Sequence, residues 1–257
     1  DKAACGRPFV VWRKLSCMPT DAPASSPRPI LRDPHRIPVI GTDSHLPAVE
    51  PEHLNAATLR ERLAGAHDWP PPIPGDGARP EWFGERQPAA ASVLVPLVMR
   101  PQGPQVLLTQ RTDHLNDHAG QISFPGGRAE LHDVDAVATA LREAEEEVGL
   151  RHESVEVIGR MPVYTTVTRF VVTPVIGLVR PDYTLRLDAF EVAEAFEVPL
   201  QFLLDPAHHQ RREFEMAGVR RQFLSMPWRP DGDAGREYFI WGATAAMLRN
   251  LYHLLRG

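Results

Sequence analysis

Asp133-Val134-Asp135-Ala136-Val137-Ala138-Thr139-Ala140-Leu141-Arg142-Glu143-Ala144-Glu145-Glu146-Glu147-Val148-Gly149 is the stretch on which the reading of this 257-residue chain turns. Asp133 or Asp135 can accept the unpaired N–H groups of a first helical turn, and Gly149 suits the left-handed position just past a last one. The spacing predicts a helix over residues 134–148. At about 100° per residue, Val137, Leu141, Ala144 and Val148 fall on one stripe that can seat the helix on a sheet. Glu143, Glu146 and Glu147 fall on the roughly opposite side, an i, i+3, i+4 cluster in which like charges repel by a few tenths of a kcal/mol per pair. A divalent cation would neutralise them, and hard carboxylate oxygens suit Mg²⁺ or Mn²⁺. From spacing alone, a solvated acidic face fits the same pattern.

Upstream lies Gly120-Gln121-Ile122-Ser123-Phe124-Pro125-Gly126-Gly127, a short β-like run ending in two glycines. Glycine lets a phosphorylated ligand approach the main chain where a Cβ would block it, although a Gly-Gly pair by itself is also an ordinary turn. Residues 92–99 and 105–111, separated by Pro101-Gln102-Gly103-Pro104, read as strand, turn and strand. Further β-like runs cover 155–158 and 169–179, and a second helix covers 244–255, whose Met247, Leu248, Leu251 and Leu254, with Trp241 before it, read as a core face. Interspersed strands and helices make residues 89–257 one α/β domain. Residues 1–88 read as a proline-rich N-terminal extension, partly irregular, since 15 of the 26 prolines fall in residues 1–90. One short helix is expected there at residues 54–64, ended by Trp69-Pro70-Pro71-Pro72.

Composition narrows the function classes. A net charge of −5, from 28 Lys+Arg against 33 Asp+Glu, lacks the basic footprint of a nucleic-acid binder. No run approaches the roughly 20 apolar residues that cross a bilayer, and the early patch at residues 8–12 is too short for a secretory signal, so a cytoplasmic protein is expected. Cys5 and Cys17 are too few for a disulfide framework or a zinc site. Without cysteines to join them, His114, His118, His208 and His209 read as surface histidines.

The glycine pair followed by the three-carboxylate helix resembles the box of the Nudix hydrolases, G-x5-E-x7-R-E-U-x-E-E-x-G-U with U aliphatic. Arg142-Glu143-Ala144-Glu145-Glu146-Glu147-Val148-Gly149-Leu150 fits its second half. In the first half Asp133 stands where glutamate is expected, with eight residues instead of seven between it and Arg142. One branch, the coenzyme A pyrophosphatases, is similar over a longer span through its pattern L-L-T-x-R-[SA]-x3-R-x3-G-x3-F-P-G-G. Here it reads Leu107-Leu108-Thr109-Gln110-Arg111-Thr112, Asn116, Gly120 and Phe124-Pro125-Gly126-Gly127. Asn116 replaces the pattern's arginine and removes a cation. Residues 162–168, 191–200 and 240–244 extend the likeness.

The resemblance implies a Nudix-type α/β/α sandwich with a mixed β-sheet. It also implies metal-dependent hydrolysis of the coenzyme A pyrophosphate to 4′-phosphopantetheine and adenosine 3′,5′-bisphosphate. Glu143, Glu146 and Glu147 would be the metal ligands, with Arg142 orienting them. Arg111, Asn116, Phe124, Gly126 and Gly127 would meet a coenzyme A-like nucleotide. Arg111 reads equally well as a strand-end surface cation. Glu191, Glu194 and Glu197 are either general-base candidates or a capping, solvated acidic turn. Arg211, Arg212, Arg220 and Arg221 either meet a 3′-phosphate or are simply solvated. ADP-ribose or NADH stays open as substrate, as does a silent nucleotide-sensing module, and a homodimer is a further expectation.

Overall fold

Strand β2 (Ala89–Arg100) shows how the layers arise. Its side chains alternate between two cores: Leu94 and Val98 point to one, Val95 and Leu97 to the other. The same alternation runs through β3 (Gly103–Arg111), with Leu107 opposite Val106 and Leu108. Both strands are therefore covered on both faces, which is why they read as near-continuous apolar runs. The computed structural model describes residues 31, 33–76, 87–113, 120–216, 218–230 and 235–256.

β2 is hairpin-paired with β3 and lies parallel to β8 (Phe170–Val179) over the register Ala89↔Phe170 to Val98↔Val179. A parallel pair needs a crossover, and helix α2 (Ala136–Val148) supplies it. β4 (Ile122–Ser123) and β6 (Val155–Arg160) extend the sheet at its two ends, while β5 (Gly126–Arg128), β7 (Tyr164–Thr165) and β9 (Val192–Pro199) pair with β2, β8 and β3. The sheet is mixed, as expected.

On one face, Leu94, Val98, Leu107, Val175 and Val179 pack with Ala140, Ala144 and Val148 of α2. The other face packs on α1 (Ala56–Leu63), α4 (Gly242–Arg256) and a second, antiparallel sheet. That sheet is ordered β1 (Val39–Thr42), β10 (Gln210–Met216), β11 (Val219–Trp228) and β12 (Tyr238–Trp241). Helix, sheet and helix layers make the α/β/α sandwich. Helices α2 and α4 fall within two residues of their expected bounds, and α1 forms inside residues 54–64, capped by the Asn55 side chain.

Three expectations need correction. The buried face of α2 is Thr139, Ala140, Ala144, Glu147 and Val148, with Val137 and Leu141 only half-buried. The helix is rotated so that Ala140 and Ala144 are fully buried on the sheet beside Val148, with Val137 and Leu141 at the margin. Glu194 and Glu197 lie on strand β9, not in an acidic turn, and Glu191 immediately precedes it. The second sheet was not foreseen, because strands such as Gln210-Arg211-Arg212-Glu213-Phe214-Glu215-Met216 carry mostly charged side chains. In packing, the proline-rich segment from Asp33 on is not set apart: Asp33–Gly257 form one compact unit. Leu59 and Leu63 of α1 are fully buried, and β1 pairs with β10.

His209 is the fourth correction. It has no exposed surface, whereas His208 is half-exposed and stacked on Phe202. His114 and His118 lie outside the described residues. His209 Nε2 lies 2.8 Å from the Leu203 carbonyl, and its Nδ1 lies 2.8 Å from an Arg249 guanidinium nitrogen. Arginine only donates, so Nδ1 accepts and the ring is the neutral Nε2–H tautomer. Arg249 in turn pairs with buried Asp43 at 3.1 Å, which Arg211 also grips at 2.8 and 3.0 Å. Burial above all pushes His209 down to about 4, and the Arg249 charge adds to this. A histidine with a depressed pKa leaves the unfolded chain holding more protons between about pH 4 and 6.5, so its stabilisation is lost as pH falls through that window. We predict that the stability gap between wild type and His209→Gln, measured by urea unfolding, narrows by about 2 kcal/mol from pH 7 to pH 5. A pH-independent gap would contradict the neutral assignment.

Candidate active site

The two glycines of β5 set two close approaches, Gly126 to strand β2 and Gly127 to helix α2. A Cβ on Gly126 would collide with the backbone of Ser92 and Val93, and one on Gly127 would lie 2.5 Å from the Glu143 carboxyl carbon. Bare backbone at Gly127 lets the Glu143 carboxylate lie directly over the strand. The Gly126 N–H donates to Glu147 Oε2 at 3.1 Å. Glu147 is only 7% exposed, and burial pushes its carboxyl up to about 7, opposed by that N–H and by Arg111. Burial raises Glu143 as well, against the pull of Arg142. A carboxylate in this state gains from any cation that reaches it.

Arg142 is fully engaged. Its Nε and one terminal nitrogen grip Asp133 at 3.0 Å each, and the same terminal nitrogen bonds the Arg128 carbonyl at 3.0 Å. The other terminal nitrogen reaches Glu143 at 3.1 Å and Glu146 at 2.9 Å. Asp133 also accepts from the Glu130 N–H and the Thr139 hydroxyl, and Arg142 holds its carboxyl far below the usual range. The N-cap role falls to Asp135, whose side chain accepts from the Ala138 N–H. Asp133 thus anchors the arginine that spaces Glu143 and Glu146.

Segment 186–191 forms the opposite wall. The Arg186 N–H donates to the Val148 carbonyl and that of Asp188 to the Glu147 carbonyl, pinning the segment along the end of α2. A cleft of about 420 Å³ lies between, lined by Glu143, Glu146, Glu147, Arg186, Asp188 and Glu191. Arg111, at the end of β3, stands 3.6 Å from both Glu147 and Glu191 and bridges the walls. Among the described residues no three His, Cys, Asp or Glu side chains already converge on one point, so the donors share a cleft without forming a closed cage.

Other expected site residues lie elsewhere. Phe124 is 2% exposed and packs in the core on the α1 and α4 side, so it supports the glycine turn instead of meeting a ligand. Asn116 lies outside the described residues. Glu194 is held by Arg236 and Tyr238, and Glu197 by Arg100 and Tyr183, which removes both from the cleft. Arg211, Arg212, Arg220 and Arg221 belong to β10 and β11, and none lines the cleft. Arg211 binds Asp43, Arg212 is buried against the His35 and Ile37 carbonyls, and Arg220 pairs with Glu213. Arg186 and Asp188 were missed. The alternation Leu185-Arg186-Leu187-Asp188 was their signal, since both leucines pack beneath α2 and send the charged residues outward.

The NUDIX domain family model matches residues 88–217. The chain is 45% identical over 162 residues to the uncharacterized Nudix hydrolase NudL of Escherichia coli strain K12, covering 63% of this chain and 80% of that protein. NudL of Shigella boydii serotype 4 matches with the same identity and coverage. The chain belongs to the Nudix hydrolases, which cleave pyrophosphate bonds and generally use divalent ions such as Mg²⁺ or Mn²⁺. Among solved structures, a C. elegans Ap4A hydrolase complex is 18% identical, with TM-score 0.38 over 46% of this chain and 85% of that one. RenU, a Nudix hydrolase of M. smegmatis, is 23% identical, with TM-score 0.37 over 48% and 78%.

Gly127→Ala tests the seating of α2. The added Cβ is expected to expel the Glu143 carboxylate while leaving the cores intact. Hydrolysis of a nucleoside diphosphate substrate should fall on the order of 100-fold, with the melting temperature within a few degrees of wild type. Undiminished turnover would show that Glu143 need not lie over Gly127.

Proposed function

We propose that this chain hydrolyses the pyrophosphate of coenzyme A or its derivatives, releasing 4′-phosphopantetheine and adenosine 3′,5′-bisphosphate. The observation that carries the reading is how the residues of the longer pattern fold together. The Arg111 N–H donates to the Gln121 carbonyl, and the Thr109 hydroxyl and Gln110 amide reach Ser123 and Gly120. Leu107–Arg111 and Gly120–Gly127 thus make one β unit with Arg111 at the acidic cleft.

The donor set suits a divalent metal: carboxylates only, two of them with pKa values raised by burial, facing a common cleft. Glu143, Glu146 and Glu147 would hold it, and when bound it would neutralise phosphate charge and acidify a water for in-line attack. Arg142 orients Glu143 and Glu146. Arg111 is placed to meet the diphosphate while restraining Glu147. Of the three general-base candidates, Glu191 alone lines the cleft and takes that role in this reading.

A nucleotide-sensing module without turnover is disfavoured by the same cleft, since binding alone gains nothing from five carboxylates crowded together. ADP-ribose or NADH stays as the alternative substrate class because the longer pattern is broken at Asn116. A cytoplasmic location and a homodimer also belong to this reading. Among the described residues, no helix is long and apolar enough to cross a membrane.

Mass spectrometry of products after incubation with Mg²⁺ or Mn²⁺ and coenzyme A, ADP-ribose or NADH tests the proposal. Release of 4′-phosphopantetheine is expected. Cleavage of the other two alone would discard the coenzyme A assignment. Glu147→Gln should abolish turnover with little loss of stability, and wild-type rates in that variant would refute the metal role. Asn116→Arg should lower the KM for coenzyme A, and an unchanged KM would show that position 116 does not face the substrate.

A further inference from the structure

Arg186 differs from the other arginines around the cleft. Arg142 is committed to Asp133, Glu143 and Glu146, and Arg111 bridges Glu147 and Glu191. Arg186 lines the same cleft as five carboxylates, yet among the described residues its guanidinium makes no hydrogen bond or ion pair. Its backbone is nonetheless fixed. The Arg186 N–H donates to the Val148 carbonyl at 2.8 Å, and Leu185 and Leu187 on either side pack beneath α2. Gly149, with φ of +70°, leaves room for this seat: a Cβ there would come within 2.8 Å of the Arg186 nitrogen.

The anchoring matters because an exposed arginine on a mobile loop is ordinarily just solvated. Here the attachment point is rigid and only the side chain is adjustable. A guanidinium held at an acidic wall, with its donors unused by that wall, is suited to an anion that arrives with cations between itself and the carboxylates. Its planar fork matches two oxygens of a phosphate.

We infer that Arg186 is a substrate-binding residue that grips a phosphate oxygen of the scissile diphosphate. This rests on the reading of the cleft as a diphosphate-hydrolysing site, but not on which diphosphate ester it takes.

The test uses the whole 257-residue chain and two titrations by calorimetry, Mn²⁺ alone and then non-hydrolysable methylenediphosphonate at saturating Mn²⁺. Arg186→Gln is expected to weaken methylenediphosphonate binding on the order of 10-fold or more, with Arg186→Lys recovering part of the loss. Mn²⁺ affinity should stay unchanged or tighten a few-fold, because a like charge has left the metal's surroundings. A merely structural arginine would weaken both ligands together. Wild-type methylenediphosphonate affinity in Arg186→Gln overturns the inference, as does a parallel loss of Mn²⁺ binding or no binding of the diphosphonate by the wild type. Arg186-dependent diphosphonate binding in a protein that leaves coenzyme A intact would instead sustain the inference and refute the substrate assignment.

Discussion

The close seat of α2 on the glycine backbone of β5 is the constraint on which the rest depends. Ala140 and Ala144 bring the helix down to the sheet, and Gly127 offers no side chain to displace the Glu143 carboxylate. Glu147 is carried below the surface by that approach and left with one backbone donor and an arginine 3.6 Å away. A carboxylate so buried is destabilised in its charged form, and Glu143 shares the condition. The packing of the helix alanines on the sheet, together with the bare backbone at Gly127, thus sets the electrostatics of the cleft.

The charges around it divide into those that hold the site and those left for a ligand. Asp133 and Arg142 form a bidentate pair whose remaining donors fix Glu143 and Glu146, so that pair is scaffold. Arg111 ties Glu147 to Glu191 across the cleft. Asp188 and Arg186 come in on a segment hydrogen-bonded to the end of the same helix, so both walls are anchored on α2. On the far side of the sheet the Asp43, Arg211, Arg249 and His209 network is closed on itself and serves packing.

Much of this was legible in the sequence where local pattern and final packing agree. The bounds of α2, the paired apolar strands β2 and β3 and the glycine turn ahead of the helix all follow from neighbouring residues. What was hidden depends on long-range pairing. Charged strands β10 and β11 look like solvated loop until each is set beside the other, and Arg212 is buried only because distant carbonyls receive it. Phe124 lies inside a motif that points to a ligand, yet its side chain serves the core. Arg186 was overlooked because the two leucines that orient it make sense only against the underside of α2. His209 looked like a surface residue because its partners, Leu203 and Arg249, meet it through the fold.

The account stands on the claim that the carboxylates of α2, seated on bare backbone, hold a divalent cation. Titration of the purified protein with Mn²⁺, following the free ion by electron paramagnetic resonance, addresses it without assuming any substrate. Saturable binding that disappears in Glu147→Gln is the predicted result. No saturable binding, or binding indifferent to that substitution, would contradict the account.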